Sequence, residues 1–181
     1  ARQARRARTR RLLLSALALL SLLLATAAGA APRIAVLTMQ PGEVFFERFG
    51  HNALVVADPA TGAATSYNFG YFDPTEPGFI TGFIRGEMQY QLVALPLEQD
   101  LAYYRDVGRG VDIQWLDLEP DVATELAAQL EWNALPENAR YGYDYFLDNC
   151  STRVRDALDE ALGGSLRSQM AGSRGSSYRS E

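Results

Sequence analysis

The sequence predicts a small α+β domain, an antiparallel sheet with helices packed on it. Three observations carry this prediction. Short runs rich in valine, isoleucine and aromatic residues recur between turns rich in glycine and proline. Two longer segments in the second half carry apolar residues at helical spacing. About 150 residues follow the N-terminal stretch, enough to bury a core without a disulfide.

The first 11 residues, ARQARRARTRR, hold six arginines and no acid, and the apolar run LLLSALALLSLLLATAAGAA follows at 12–31. A basic start, a leucine-rich middle and a small-residue end describe a secretory signal. Ala28-Gly29-Ala30 fits a cleavage site, which places the signal at 1–30 and the mature start at Ala31. The alternative is an uncleaved anchor, because 20 apolar residues can span a bilayer. Either way residues 32 onward are expected outside the cytoplasm. Without the leader, 11 positive and 22 negative charges remain, a net charge of −11. So acidic a domain is not built for nucleic acid. The polar stretch 167–181 is expected to be a flexible tail, in a chain cut from a longer one.

The elements follow in order. RIAVLTM (33–39) predicts a strand and QPGEVFFERFG a loop. HNALVVAD (51–58), the turn PATGAA and TSYNFGYFD (65–73) predict a hairpin. Proline and glycine make PTEPGFITGFIRGE a loop with at most one helical turn, although Phe79, Ile80, Phe83 and Ile84 sit at helical spacing. MQYQLVALPL (88–97) predicts a strand, EQDLAYYRDVGR (98–109) a short helix and GVDIQWLDL (110–118) a strand. In EPDVATELAAQLEWNAL, Pro120 suits a first helical turn, and Val122, Leu126 and Leu130 share a face. PENARYGYDYFLDN is expected to be an aromatic-rich loop. CSTRVRDALDEAL is the last helix, with Gly163-Gly164 ending it.

The chain has one cysteine, Cys150, and one histidine, His51. Asp148-Asn149 stands where an N-cap belongs, which puts Cys150 in the first turn of the last helix. The positive end of a helix stabilises a thiolate, and its free N–H groups can hold a developing oxyanion. An exported protein with one unpaired thiol invites a chemical explanation. His51 is the only side chain whose ordinary pKa suits a base at neutral pH. One histidine and one cysteine make no metal site, and no cofactor is expected. In papain-type enzymes the cysteine precedes the histidine; here the histidine leads by 99 residues. Geometry rather than order defines such sites, so a circular permutation of the same arrangement fits.

FGHNALVV, YNFGYFD, GVDIQWLDL, LEWNALPENARYGYDYFLDNCSTRVRDALD and the terminal LGG together resemble the Lnb-type N-terminal periplasmic domain family. The strongest pieces are Gly50-His51-Asn52 and the stretch from Tyr141 to Asp156, and the resemblance covers about residues 33–166. It places the domain at 31–166 and implies a circularly permuted papain-like thiol enzyme with its catalytic cysteine at a helix N-terminus. It implies an acyltransferase acting on the N-terminal amine of bacterial lipoproteins. Cys150 would be the nucleophile and His51 the general base. The implied partners are a phospholipid or lipoprotein acyl donor, a lipoprotein acceptor and the inner-membrane surface. Asn68 is expected to orient His51, with Tyr67 and Ser66 as competitors; alternation puts Ser66 and Asn68 on one strand face and Tyr67 on the other. Asn149, Tyr67, Arg48 and Arg109 are the expected substrate contacts, the arginines through a phosphate or carboxylate unless they are surface residues in local ion pairs, the reading the residues themselves favour. FITGFI and YGYDYF are either packing or the wall of an acyl groove. Two other readings stand beside this one: a cell-wall amidase or peptidase on the same pair, and a binding domain in which Cys150 is merely buried.

Overall fold

The structure is a computed structural model that describes residues 30–44 and 47–171. Residues 1–29, nearly all of the expected signal, and 172–181, most of the expected tail, lie outside the described residues. The domain is α+β. Its strands are β1 (Arg33–Met39), β2 (His51–Ala57), β3 (Ala64–Tyr71), β4 (Gln89–Pro96), β5 (Val111–Trp115) and β6 (Arg140–Gly142). They form one six-stranded sheet in the order β5-β1-β2-β3-β4-β6, every neighbouring pair antiparallel. The helices are α1 (Phe79–Arg85), α2 (Leu97–Asp106), α3 (Pro120–Asn133), α4 (Cys150–Ala161) and α5 (Ser165–Met170).

Alternation along the central strands sends their side chains to two different layers. One face presents Ile34, Leu54, Tyr67, Phe69 and Leu92 to Leu126 and Leu130 of α3 and to Val154 and Ala157 of α4. The other presents Ala35, Leu37, Met39, Ala53 and Val55 to Tyr104, with Leu97 and Leu101 of α2 packed alongside. Ser66 and Asn68 therefore share the α2 side, and Tyr67 lies on the α3–α4 side. The hairpin between β2 and β3 is closed by Asp58, whose carboxylate accepts from the Ala60 N–H and the Thr61 hydroxyl, each at 2.8 Å.

Three elements differ from the sequence expectation. Within the expected aromatic loop, Arg140–Gly142 pairs with Gln89–Gln91 as β6. Three residues are too few to show a period, so only the partner strand reveals them. Phe79–Arg85 forms a full helix between Gly78 and Gly86, both in the left-handed conformation that glycine tolerates. The glycines that suggested a loop are its ends. Ser165–Met170 continues past Gly163-Gly164 as α5, tied to α4 by the Arg167 N–H donating to Asp159 at 3.0 Å; the expected tail thus begins in a helix. Among the described residues no helix is long and apolar enough to cross a membrane.

Leu126 is fully buried where α3 meets the sheet. Leu126→Ala is expected to cost about 2–5 kcal/mol, read as a lower urea midpoint; a cost below about 1 kcal/mol would mean that α3 is not seated on the sheet.

Candidate active site

Cys150 is the first residue of α4 and Asn149 is its N-cap. The Asn149 side chain accepts from the Thr152 N–H at 3.0 Å, while the Thr152 hydroxyl accepts from the Asn149 N–H at 2.8 Å. The Asn149 amide also donates to the Tyr145 carbonyl at 2.8 Å. The loop before it is held as firmly. Asp144 accepts from the Phe146 and Leu147 N–H groups, each at 2.8 Å, and its backbone pairs with Asp148. Asp148 in turn is bound by the Arg153 guanidinium, which lies 4.2 Å from the centre of the Tyr141 ring. The sulfur thus sits at a fixed helix start.

His51 is the first residue of β2, opposite Met39 of β1. The preceding Gly50 has φ 73°, and a Cβ there would stand 2.6 Å from the Met39 carbonyl oxygen, so only glycine fits. Residues next to the pair join strand to helix. The Asn52 amide donates to the Ser151 hydroxyl at 2.8 Å, and the Thr38 hydroxyl donates to Asn52 at 3.2 Å. The His51 side chain and the Asn52 backbone N–H both stand beside the Cys150 sulfur and favour its charged form. Below them the β3–β4 ladder shifts register between Phe69 and Tyr71, around Gly70 at φ 112°. A Cβ on Gly70 would lie 3.8 Å from the His51 ring and 3.9 Å from the Cys150 Cβ. The bulged glycine is the floor on which thiol and imidazole meet.

His51 is anchored on its far side. Its Nε2 lies 3.2 Å from Asn68 Oδ1, so Nδ1 is the ring nitrogen left for the thiol. Asn68 Nδ2 donates to Asp100 at 2.9 Å and to Ser66 at 3.2 Å, all three residues being buried. Burial pushes the Cys150 thiol up. The hydrogen bond and charge of His51, the Asn52 N–H and the Ser151 hydroxyl together outweigh it and bring the thiol down from 9.0 to about 7.

Aromatic rings surround this centre. Tyr90, beside Gly70, stacks on Tyr143 at 4.1 Å and on Phe72 at 4.9 Å, and Phe72 stacks on Phe79 at 5.5 Å. FITGFI and YGYDYF thus each place an aromatic ring in one column that passes the thiol. Phe49 meets Tyr145 edge to face at 5.5 Å, and both are exposed, as is Leu147. These residues flank His51 and Cys150 in sequence. A cavity of about 290 Å³ elsewhere, between α3 and α4, is lined by Trp132 and Arg153 among others and reaches neither Cys150 nor His51. Volume does not mark the site here; the hydrogen-bonded pair does.

The structure thus brings Cys150, His51 and Asn68 together. The expected substrate contacts lie as follows, Asn149 next to Cys150 itself. Asn149 is committed to the helix cap by its oxygen and its amide. Tyr67 is buried in the α3–α4 core, opposite Leu54 and away from His51, where burial and then the charge of Glu131 push its hydroxyl up. Arg109 is a local ion-pair residue: buried, bound to Glu47 at 3.3 Å and donating to the Gln40 carbonyl at 2.9 Å. It ties Gln40 and Glu47 together ahead of His51. Arg48 is exposed beside Phe49. Sequence reasoning missed Asn52, Ser151, Gly70 and Asp100. The first two had a signal, each following one of the two reactive residues. Asp100 had none, since an acid in a first helical turn reads as surface.

Alkylation of Cys150 by iodoacetamide should rise with pH through a midpoint near about 7. In His51→Ala the burial of the sulfur is less opposed, and the midpoint should climb toward or past 9.0; an unmoved midpoint would separate the two residues. Gly70→Ala forces a side chain into a left-handed position and should cost roughly 1–3 kcal/mol while slowing alkylation.

The model of the family described as the Lnb N-terminal periplasmic domain matches residues 21–176. No curated protein and no solved structure matches the chain. The match spans most of the chain, including every residue of the site, and the family is one of periplasmic domains. The chain belongs to the Lnb N-terminal periplasmic domain family.

Proposed function

We propose that the domain is a thiol-dependent acyltransferase of the periplasm, passing an acyl chain to the N-terminal amine of bacterial lipoproteins. The observation that carries this reading is the Cys150 thiol, brought to about 7 at a capped helix N-terminus within hydrogen-bond reach of His51. His51 Nδ1 takes the thiol proton, and the thiolate attacks the carbonyl carbon of an acyl ester. The first N–H groups of α4 face the oxyanion that develops. The intermediate collapses by breaking the ester C–O bond, and the imidazolium gives its proton to the leaving alkoxide. The acyl group is now a Cys150 thioester. An amine attacks it, His51 takes the amine proton, the C–S bond breaks, and the thiolate is regenerated with the acyl group in an amide. The order histidine before cysteine makes this a circularly permuted papain-like arrangement.

The surroundings favour an acyl substrate over a polar peptide. The exposed Phe49, Tyr145 and Leu147, next in sequence to the site residues, offer apolar surface to a chain or to the inner-membrane face. A phospholipid or diacylated lipoprotein is the donor under this reading, and the freed lipoprotein amine is the acceptor.

Incubation with phospholipid should add one acyl mass to the intact protein at Cys150, and Cys150→Ser should abolish the adduct. His51→Ala should slow its formation by about 100-fold or more. Mass spectrometry of lipoprotein N-termini should show loss of the N-acyl group when the gene is deleted. Free fatty acid without N-acylated product would assign the site to a hydrolase instead.

A further inference from the structure

We infer that Asp100 is a positioning residue of the Cys150–His51 pair: its buried carboxylate fixes the orientation of the Asn68 amide, and the amide fixes which nitrogen of His51 carries the hydrogen. The inference rests on reading Cys150 and His51 as a working pair.

Asp100 is 4% exposed, and among the described residues no ion pair neutralises it. Its place in the first turn of α2 supplies part of what a buried anion needs, because the helix N-terminus is positive. The rest comes from Asn68, whose Nδ2 donates to Asp100 Oδ2 at 2.9 Å. A carboxylate accepts and never donates. The amide must therefore turn its NH₂ toward Asp100, because the flipped amide would set two buried acceptors against each other. Ser66 agrees with this orientation. Its hydroxyl donates to the Leu95 carbonyl at 3.4 Å and offers a lone pair to the second N–H of Asn68 at 3.2 Å. Both amide hydrogens are thus claimed, and Oδ1 is left for His51 Nε2 at 3.2 Å.

The consequence reaches the sulfur. Oδ1 accepts, so Nε2 must carry a hydrogen. A neutral ring protonated at Nε2 has a bare Nδ1, the form able to take the thiol proton. After the transfer, the same Nε2–H to Oδ1 contact stabilises the imidazolium, and through it the thiolate. Asp100 thus acts on Cys150 through two intermediaries and touches neither thiol nor substrate. The other titratable groups around this line are Tyr104 beside Asp100, Tyr90, Tyr141 and Tyr143 around the pair, and the bonded Asp148 and Arg153. The tyrosines are all pushed above their ordinary range, chiefly by burial, and stay neutral in the window used below.

The test uses the thiol and the imidazole directly. His51 is the single histidine, so ¹⁵N-histidine labelling of protein carrying a non-histidine tag gives one imidazole spectrum. With Cys150 capped by methyl methanethiosulfonate, so that no thiolate faces Nδ1, the neutral ring should show the Nε2–H tautomer; a dominant Nδ1–H tautomer overturns the proposal without any variant having to fold. Asp100→Asn replaces an obligate acceptor by an amide that can present either end. The alkylation midpoint of Cys150 should rise by about one pH unit, a fall of about fivefold in rate at neutral pH, with the alkaline plateau retained. Asn68→Ala should shift the midpoint in the same direction, and Asp100→Asn in that background should shift it no further. A structural role alone would lower the melting temperature and leave the midpoint where it is. An unmoved midpoint in Asp100→Asn, or an additive shift in the double variant, overturns the proposal. None of these readouts depends on acyl transfer, so failure of the acyltransferase assay leaves the Asp100 assignment standing.

Discussion

The domain turns on one seam, where the first residue of β2 meets the first residues of α4 across 99 positions of chain. The Asn52 side chain bonds Ser151, and the Asn52 N–H favours the charged form of Cys150. The two residues that do the joining are the immediate neighbours of His51 and Cys150. A strand end and a helix end are each rigid, because ladder hydrogen bonds fix one and a capping box fixes the other. Joining them there positions thiol and imidazole without relying on a flexible loop. The same logic explains Gly50 and Gly70. Gly50 removes a side chain where the Met39 carbonyl comes close, and Gly70 supplies the positive φ of the bulge.

The thiol's acidity is a balance and not a simple gift of the fold. Burial among Val154, Tyr141 and Tyr143 opposes charge on the sulfur, and this is the largest single influence. His51, the Asn52 N–H and the Ser151 hydroxyl together outweigh it, and the helix start works in the same direction. A site of this kind is poised. A thiol near neutrality is substantially ionised yet keeps the nucleophilicity that a far lower pKa would sacrifice. Because the favourable contributions all come from the seam, a shift of the β2 end relative to α4 would leave the burial penalty and remove its compensation.

The sheet separates two duties. The α3–α4 face carries most of the apolar core, with Leu54, Leu126 and Leu130 at its centre. The α2 face carries a smaller core and, within it, the buried polar line Ser66–Asn68–Asp100. Buried polar groups are costly unless each is satisfied, and these three satisfy one another with the help of the Leu95 carbonyl. The line reaches the sheet end at His51, so the polar groups that orient the imidazole are held by the layer opposite the helix that carries the cysteine. The reactive pair is gripped from both faces.

Much of this was legible in the residues. HNALVV, TSYNFG and the α3 segment announce strands and a helix through local period, and Asp148-Asn149-Cys150 announces a capped helix start through side-chain chemistry that acts within four residues. Alternation alone put Asn68 and Ser66 on one face and Tyr67 on the other. Other features had no local signature. Strand β6 is three residues that become a strand only against β4. Arg109 looks like a surface arginine until Gln40 and Glu47 bind it. Asp100 is the clearest case. In LEQDLAYYRD it is one acid among several, and nothing nearby distinguishes it from the exposed Glu98. The sequence by itself determined where a thiolate would be stable and which residue was fit to be its base, because helix ends and side-chain pKa values are local properties. Only the tertiary structure decided that the two meet, and which way the imidazole faces, because those depend on strand register and on a carboxylate brought in from the far side of the sheet.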